Sequence, residues 1–91
     1  MPEATEETPS AAPARRQAFG RRLRELRTQA GRSQADVAGS AGLNRTFYVG
    51  VEAGKRNISL DKIFALAEAL HVEPQELFTP DRTEEGAGRR E

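Results

Sequence analysis

The chain has 91 residues, no cysteine, and 14 lysines and arginines against 14 acids, for a formal net charge of zero. That length allows one small domain, and without cysteine no disulfide or cysteine-bound metal can staple it, so an apolar core must hold it together. No apolar run approaches the roughly 20 residues needed to span a bilayer, and no basic segment followed by a hydrophobic one opens the chain, so a cytoplasmic protein with no membrane partner is expected.

Residues 1–14, MPEATEETPSAAPA, hold Glu3, Glu6 and Glu7 with no base, are rich in Pro, Ala and Thr, and show no apolar period. They read as a disordered acidic arm. From Arg15 the helical period begins: Phe19, Leu23, Leu26 and Ala30 fall on one stripe of a first helix that Gly31 can end. Ser33 can cap a second helix from Gln34 to about Ser40, burying Val37, Ala38 and Ala41. After a turn at Gly42, Asn44 can cap a third, Arg45 to Ala53. Ser59 can cap a fourth with Leu60, Ile63, Leu66, Ala67 and Leu70 inward, and Pro74 suits the first position of a short fifth ending near Leu77 and Phe78. No segment alternates with a strand period, so the fold class is all-α: a compact five-helix domain over 15–78, followed by a flexible tail, 79–91.

The zero net charge hides segregation. Residues 15–62 carry eleven bases against four acids, whereas both flanking segments are acidic. A section this basic is the footprint expected of a polyanion binder, and equally of a solvated charged face.

Two short helices around a glycine turn, SQADVAGSAGLNRTFYVGVE, have the spacing of a helix-turn-helix. The longer run SQADVAGSAGLNRTFYVGVEAGKRNISLDKIFALAEALHVEPQELF closely resembles the DNA-binding domain of phage-repressor and Cro-type (XRE family) regulators, a lambda-repressor-like fold. In that family a Gln opens helix two, and an aromatic-aliphatic-x-x-aliphatic-Glu-x-Gly run closes helix three. The resemblance covers about residues 19–78. Within the family, NRTFYVGVEAGKRNISL looks most like the small controller proteins of restriction-modification systems.

On a helix beginning at Arg45, positions 45, 46, 49 and 50 share one face, while Tyr48 and Val51 turn toward the core. The outward face is therefore Arg45, Thr46, Val49 and Gly50, free of acid and able to enter a major groove. The resemblance implies base-reading at 45, 46 and 50. Arg45 can donate twice to guanine O6 and N7, Thr46 can bond a base or touch a thymine methyl, and Val49 offers apolar contact. Gly50, unfavourable in a helix interior, admits two readings: it lets the helix backbone approach DNA, or it relieves crowding against another helix.

The resemblance further implies that Gln34 hydrogen-bonds phosphate and braces helix three, and that Arg27 on helix one pairs with Glu52 while leaving a guanidinium edge toward the DNA backbone. Lys55, Arg56 and Asn57, just after helix three, stand where the chain would meet phosphates, unless they are only a solvated loop. Asn44 caps helix three and can also meet a phosphate, and Phe47 can touch the sugar-phosphate edge. Tyr48 departs from the family pattern, which has an aliphatic there. Its ring is expected in the core with its hydroxyl at the rim.

A single helix-turn-helix reads few base pairs, and the family solution is a two-fold dimer on a palindrome. Phe64, left on a flank of helix four, and Leu77 with Phe78 are the expected homodimer surface, the alternative being that Phe64 folds into its own core. An enzyme is not expected: one histidine, His71, stands alone, and no phosphate loop, paired carboxylates, metal-ligand spacing or cofactor motif is present, so no catalytic, metal or cofactor residues are assigned. The expected partner is double-stranded DNA, and the sequence does not name a small-molecule effector. A protein-binding adaptor or antitoxin-like module on the same bundle is the rival reading.

Overall fold

The computed structural model describes residues 11–79, which form four α-helices and a terminal 3-10 helix with no strand among them. The helices are α1 (Ala11–Gln29), α2 (Gln34–Ser40), α3 (Arg45–Glu52) and α4 (Leu60–Leu70), and the 3-10 helix is Pro74–Phe78. α1 begins at Ala11, so residues 11–14, expected in the arm, belong to the helix: Ala11, Ala12 and Ala14 are strong helix formers, and Pro13 lies in the first turn, where no backbone donor is lost. The rest of the expected arm, 1–10, and the tail from residue 80 lie outside the described residues.

The caps are the ones the sequence promises. Ser33, Asn44 and Ser59 each sit in extended backbone and accept a hydrogen bond from the amide of Asp36, Phe47 and Lys62, at 3.0, 3.1 and 3.2 Å. All four α-helices also stop in the same way. After each, the amide of the residue beyond the left-handed position reaches back five residues: Arg32 to Arg27 O, Leu43 to Ala38 O, Lys55 to Gly50 O and Val72 to Ala67 O. Three of the left-handed positions are Gly31, Gly42 and Gly54, and the fourth is His71, at φ 59°. The fifth expected helix is a 3-10 turn, in keeping with its length of five residues and the proline that opens it.

α1 packs on α3 and the 3-10 helix, α2 on α3 and α4, and α4 on the 3-10 helix. Phe19, Leu23, Leu26, Val37, Ala38, Tyr48, Val51, Leu66, Ala67, Ala69, Leu70 and Leu77 form one core. Two residues expected in it are outside: Ala30 lies beyond the end of α1 and is exposed, and Leu60, at the first position of α4, is 66% exposed. The crossing of α1 and α3 is set by Gly20, where a Cβ would collide with the backbone carbonyls of Val51 and Glu52. The first helix therefore abuts the end of α3 main chain to main chain.

Three arginines tie the bundle from its rim. Arg22 donates to Glu76 O at 2.8 Å, joining α1 to the 3-10 helix. Arg32 donates to Asp36 (2.8 Å), Ser40 (2.6 Å) and the carbonyl of Ala69 near the end of α4. Arg27 does the same work between α1 and α3. Part of the basic excess in 15–62 is thus structural and does not face a partner.

Candidate nucleic-acid interface

Glu52, at the C-terminal end of α3, is the point on which the helix-turn-helix is fixed. Arg27 donates to it twice, Nε to Oε2 at 2.6 Å and Nη2 to Oε1 at 3.2 Å. The Gln34 amide donates to Oε1 at 3.0 Å, and the Tyr48 hydroxyl to Oε2 at 2.6 Å. One carboxylate therefore joins α1, α2 and α3, with its side chain only 5% exposed. Burial pushes the Glu52 carboxyl up, but the hydrogen bonds from Arg27, Tyr48 and Gln34 outweigh it and hold the group below the ordinary carboxylate range. The Glu52 hydrogen bond likewise raises Arg27, against its own burial. Burial, then the bond to Glu52, raises the Tyr48 phenol, which stays protonated as a donor.

This network shows what three of the expected site residues do within the fold. Arg27 makes the expected pair with Glu52, its third nitrogen donates to Arg32 O at 2.9 Å and the side chain is largely covered, so it braces α1 against α3. Gln34 braces α3 through its amide, the structural half of its expected role. Tyr48 is fully buried, and its departure from an aliphatic residue supplies a fourth member to the network.

The outward face of α3 carries Arg45, Thr46 and Val49, all exposed. At Gly50 the helix backbone lies against a side chain. An ideal Cβ there falls 2.5 Å from Arg56 Cγ and 3.4 Å from its Cδ, so the arginine stem from the next loop crosses the helix at this position. The close neighbour of Gly50 is thus a side chain and not a second helix, and the glycine keeps part of its surface exposed.

Phe47 is half-buried, and its ring supports cations. The Arg56 guanidinium lies 5.4 Å from the ring centroid and Lys62 Nζ 5.9 Å from it, both within cation-π range. Lys62 had not been singled out from the sequence; its place in the first turn of α4, five residues after the basic loop Lys55–Arg56–Asn57, is the signal that marks it. Lys55, Arg56 and Asn57 are exposed, and the Asn57 side chain accepts the Ile58 amide at 2.9 Å, fixing the loop exit. Asn44 is exposed and spends its side-chain oxygen on the cap.

On α4, Phe64 is 47% exposed and lies one turn from exposed Leu60, so the pair forms an apolar ridge. Leu77, expected on that surface, is fully buried and belongs to the core. Phe78 is 63% exposed, with one face tilted against Phe19 at 5.3 Å between centroids. Phe78 also shares a cleft of about 430 Å³ with Ile63, the neighbour of Phe64. Among the described residues no cluster of three His, Cys, Asp or Glu side chains forms a metal site, and no helix is long and apolar enough to cross a membrane.

A helix-turn-helix family model matches residues 23–77, from the middle of α1 to the 3-10 helix. The chain is 38% identical over 61 residues to control protein C.BamHI of Bacillus amyloliquefaciens, covering 66% of this chain and 75% of that one. It is 37% identical over 62 residues to control protein C.MunI of a Mycoplasma species, covering 67% and 84%. The crystal structure of the restriction-modification controller protein C.AhdI from Aeromonas hydrophila superposes with a TM-score of 0.70 at 54% identity, over 71% of this chain and 98% of that one.

Proposed function

We propose, from the premise that the chain belongs to the XRE-type helix-turn-helix family of transcriptional regulators, that it binds a palindromic operator as a homodimer, with α3 of each copy in a major groove. The observation that carries this reading is the division of α3 into two sides. Its inner side is fixed to α1 and α2 through Glu52, and its outer side offers Arg45, Thr46 and Val49 with no acid among them. A rigid helix with a donor-rich outer face meets the requirement of direct readout, in which Arg45 pairs with a guanine and Thr46 and Val49 meet neighbouring base edges. Phosphate contacts fall to Lys55, Arg56, Asn57, Asn44 and Lys62, which border that face and set register without reading sequence. The control-protein relatives extend the reading to a controller of a restriction-modification system acting in the cytoplasm. The two-fold surface is the Leu60–Phe64 ridge with Phe78.

Selection of bound fragments from random duplex, followed by binding across a salt series, tests the proposal. A palindromic consensus whose binding weakens steeply with salt is the expected result. Failure to retain any duplex would leave the adaptor reading. The controller role requires that the selected consensus occur upstream of a methyltransferase and endonuclease gene pair encoded beside this chain.

A further inference from the structure

We infer that Gly50 is a positioning residue that acts through Arg56: the gap left by its missing side chain seats the Arg56 stem on α3, and the Phe47 ring holds the guanidinium at the edge of the recognition surface. The inference rests on the DNA-binding reading above and deepens it. Three facts carry it. An alanine Cβ at position 50 would sit 2.5 Å from Arg56 Cγ, a separation that Cβ contacts do not sustain, so the arginine stem would have to shift from its place on α3. The guanidinium at the far end of the same side chain lies 5.4 Å from the Phe47 ring, on the same helix and three residues earlier, adjacent to Gly50 along the helix surface. Arg56 has no carboxylate partner among the described ion pairs, so its charge is oriented by packing and remains available to an anion. A glycine that is unfavourable in a helix interior thereby gains a cause that lies neither in the core nor in direct approach to DNA.

The consequence is preorganisation. An arginine on a free loop loses rotamer freedom when it grips a phosphate, and seating it beforehand removes that loss from the binding step, which amounts to as much as about tenfold in affinity. The loop cation then behaves as part of α3. Gly50→Ala should leave folding intact or strengthen it, because alanine favours the helix, while weakening DNA binding. Opposite signs for stability and affinity are not what a purely structural glycine gives.

A double-mutant cycle on the full chain tests this, with Gly50→Ala, Arg56→Ala and the pair measured against the selected duplex over a salt series, and thermal melting of each as a control. Gly50→Ala alone should weaken binding roughly tenfold with the salt slope kept, because Arg56 still reaches the phosphate, and the double variant should bind as Arg56→Ala alone does, with the slope lowered by about one unit. Additive losses would show that Gly50 meets DNA itself, and an unchanged affinity for Gly50→Ala would show that the seat is dispensable; either overturns the inference. Nitrogen relaxation of the Arg56 Nε–H in the DNA-free protein gives a reading independent of any duplex. Restricted motion in the parent and free motion in Gly50→Ala are expected, and equal motion in both refutes the seat. If the parent bound no duplex, the functional proposal would fall while this last comparison still decided whether the seat exists.

Discussion

At the scale of the residue, the division of labour among the arginines decides what each substitution should do. Arg45 is exposed on α3 and makes no hydrogen bond to the rest of the described residues, so its donors are available to a base. Arg45→Ala should cost roughly 1–3 kcal/mol on the selected duplex and relax discrimination at one base pair per half-site. Equal weakening on cognate and scrambled duplexes would make it a phosphate contact. Glu52 gives the opposite kind of prediction. Replacing it by Gln leaves Arg27 facing a neutral amide in a largely covered site and should destabilise the fold by about 3 kcal/mol at neutral pH. Its carboxyl is held below the unfolded value of about 4.3, so folding favours the ionised form. That contribution is complete above the unfolded value and fades as pH falls through the folded one. Thermal melts from pH 7 down to pH 3 should therefore show the difference between parent and Glu52→Gln narrowing in acid; a constant difference would mean the charge is not what stabilises. The outward position of Arg45 and the pairing of Glu52 with Arg27 were open to inspection in the sequence because helical phase and family pattern both placed them. The role of Gly50 was not, because its neighbour Arg56 comes from a loop, and no periodicity states where a loop side chain lies.

At the scale of the element, helix starts and stops were the most legible features, since a cap needs only one residue type at one position. Ser33, Asn44 and Ser59 behave as such residues must. Burial along a helix was less so, because Ala30 and Leu60 fit the apolar stripe but fall at ends where no second element covers them. His71 is the odd member among the four helix stops, a side chain with a Cβ in the left-handed position where the other three are glycine. It is exposed, so a glycine there would remove backbone strain without opening a cavity. His71→Gly should raise stability by about 0.5–1 kcal/mol, the relief of left-handed strain partly offset by the added freedom of the unfolded chain. Chemical denaturation checks it, and a loss of stability would show that the imidazole contributes more than its conformation costs. The basic loop and α4 meet at Phe47, which was read as touching DNA itself. Its ring lies beneath Arg56 and Lys62, and Lys62→Ala should lower the salt slope of binding by about one unit on every duplex alike, with sequence preference unchanged.

At the scale of the whole molecule, the proposed reading gives one copy a single recognition helix of eight residues, too short a reach to single out an operator, and so requires an assembly. The α4 surface offers the means. Leu60 and Phe64 project one turn apart, and a two-fold axis beside them would pair each ridge with its mate, hiding side chains that a lone domain leaves in water. Phe64 is half exposed and the core residues of α4, Leu66, Ala67, Ala69 and Leu70, do not depend on it. Phe64→Glu should therefore preserve the helical circular dichroism spectrum while bringing two carboxylates close across the axis and splitting the dimer. Two half-sites formerly held by one unit would then be bound separately, and affinity for the palindrome should drop by two to four orders of magnitude through lost effective concentration, about 10²–10⁴-fold. Affinity for a single half-site should hardly change, because α3 and its Glu52 brace lie on other elements. Sedimentation equilibrium of the variant, run beside half-site and full-site titrations, separates the outcomes. A variant that stays dimeric places the two-fold surface elsewhere, and one that loses helicity returns Phe64 to the core. One that is monomeric yet still binds the palindrome with full affinity would show that the operator is read by independent copies.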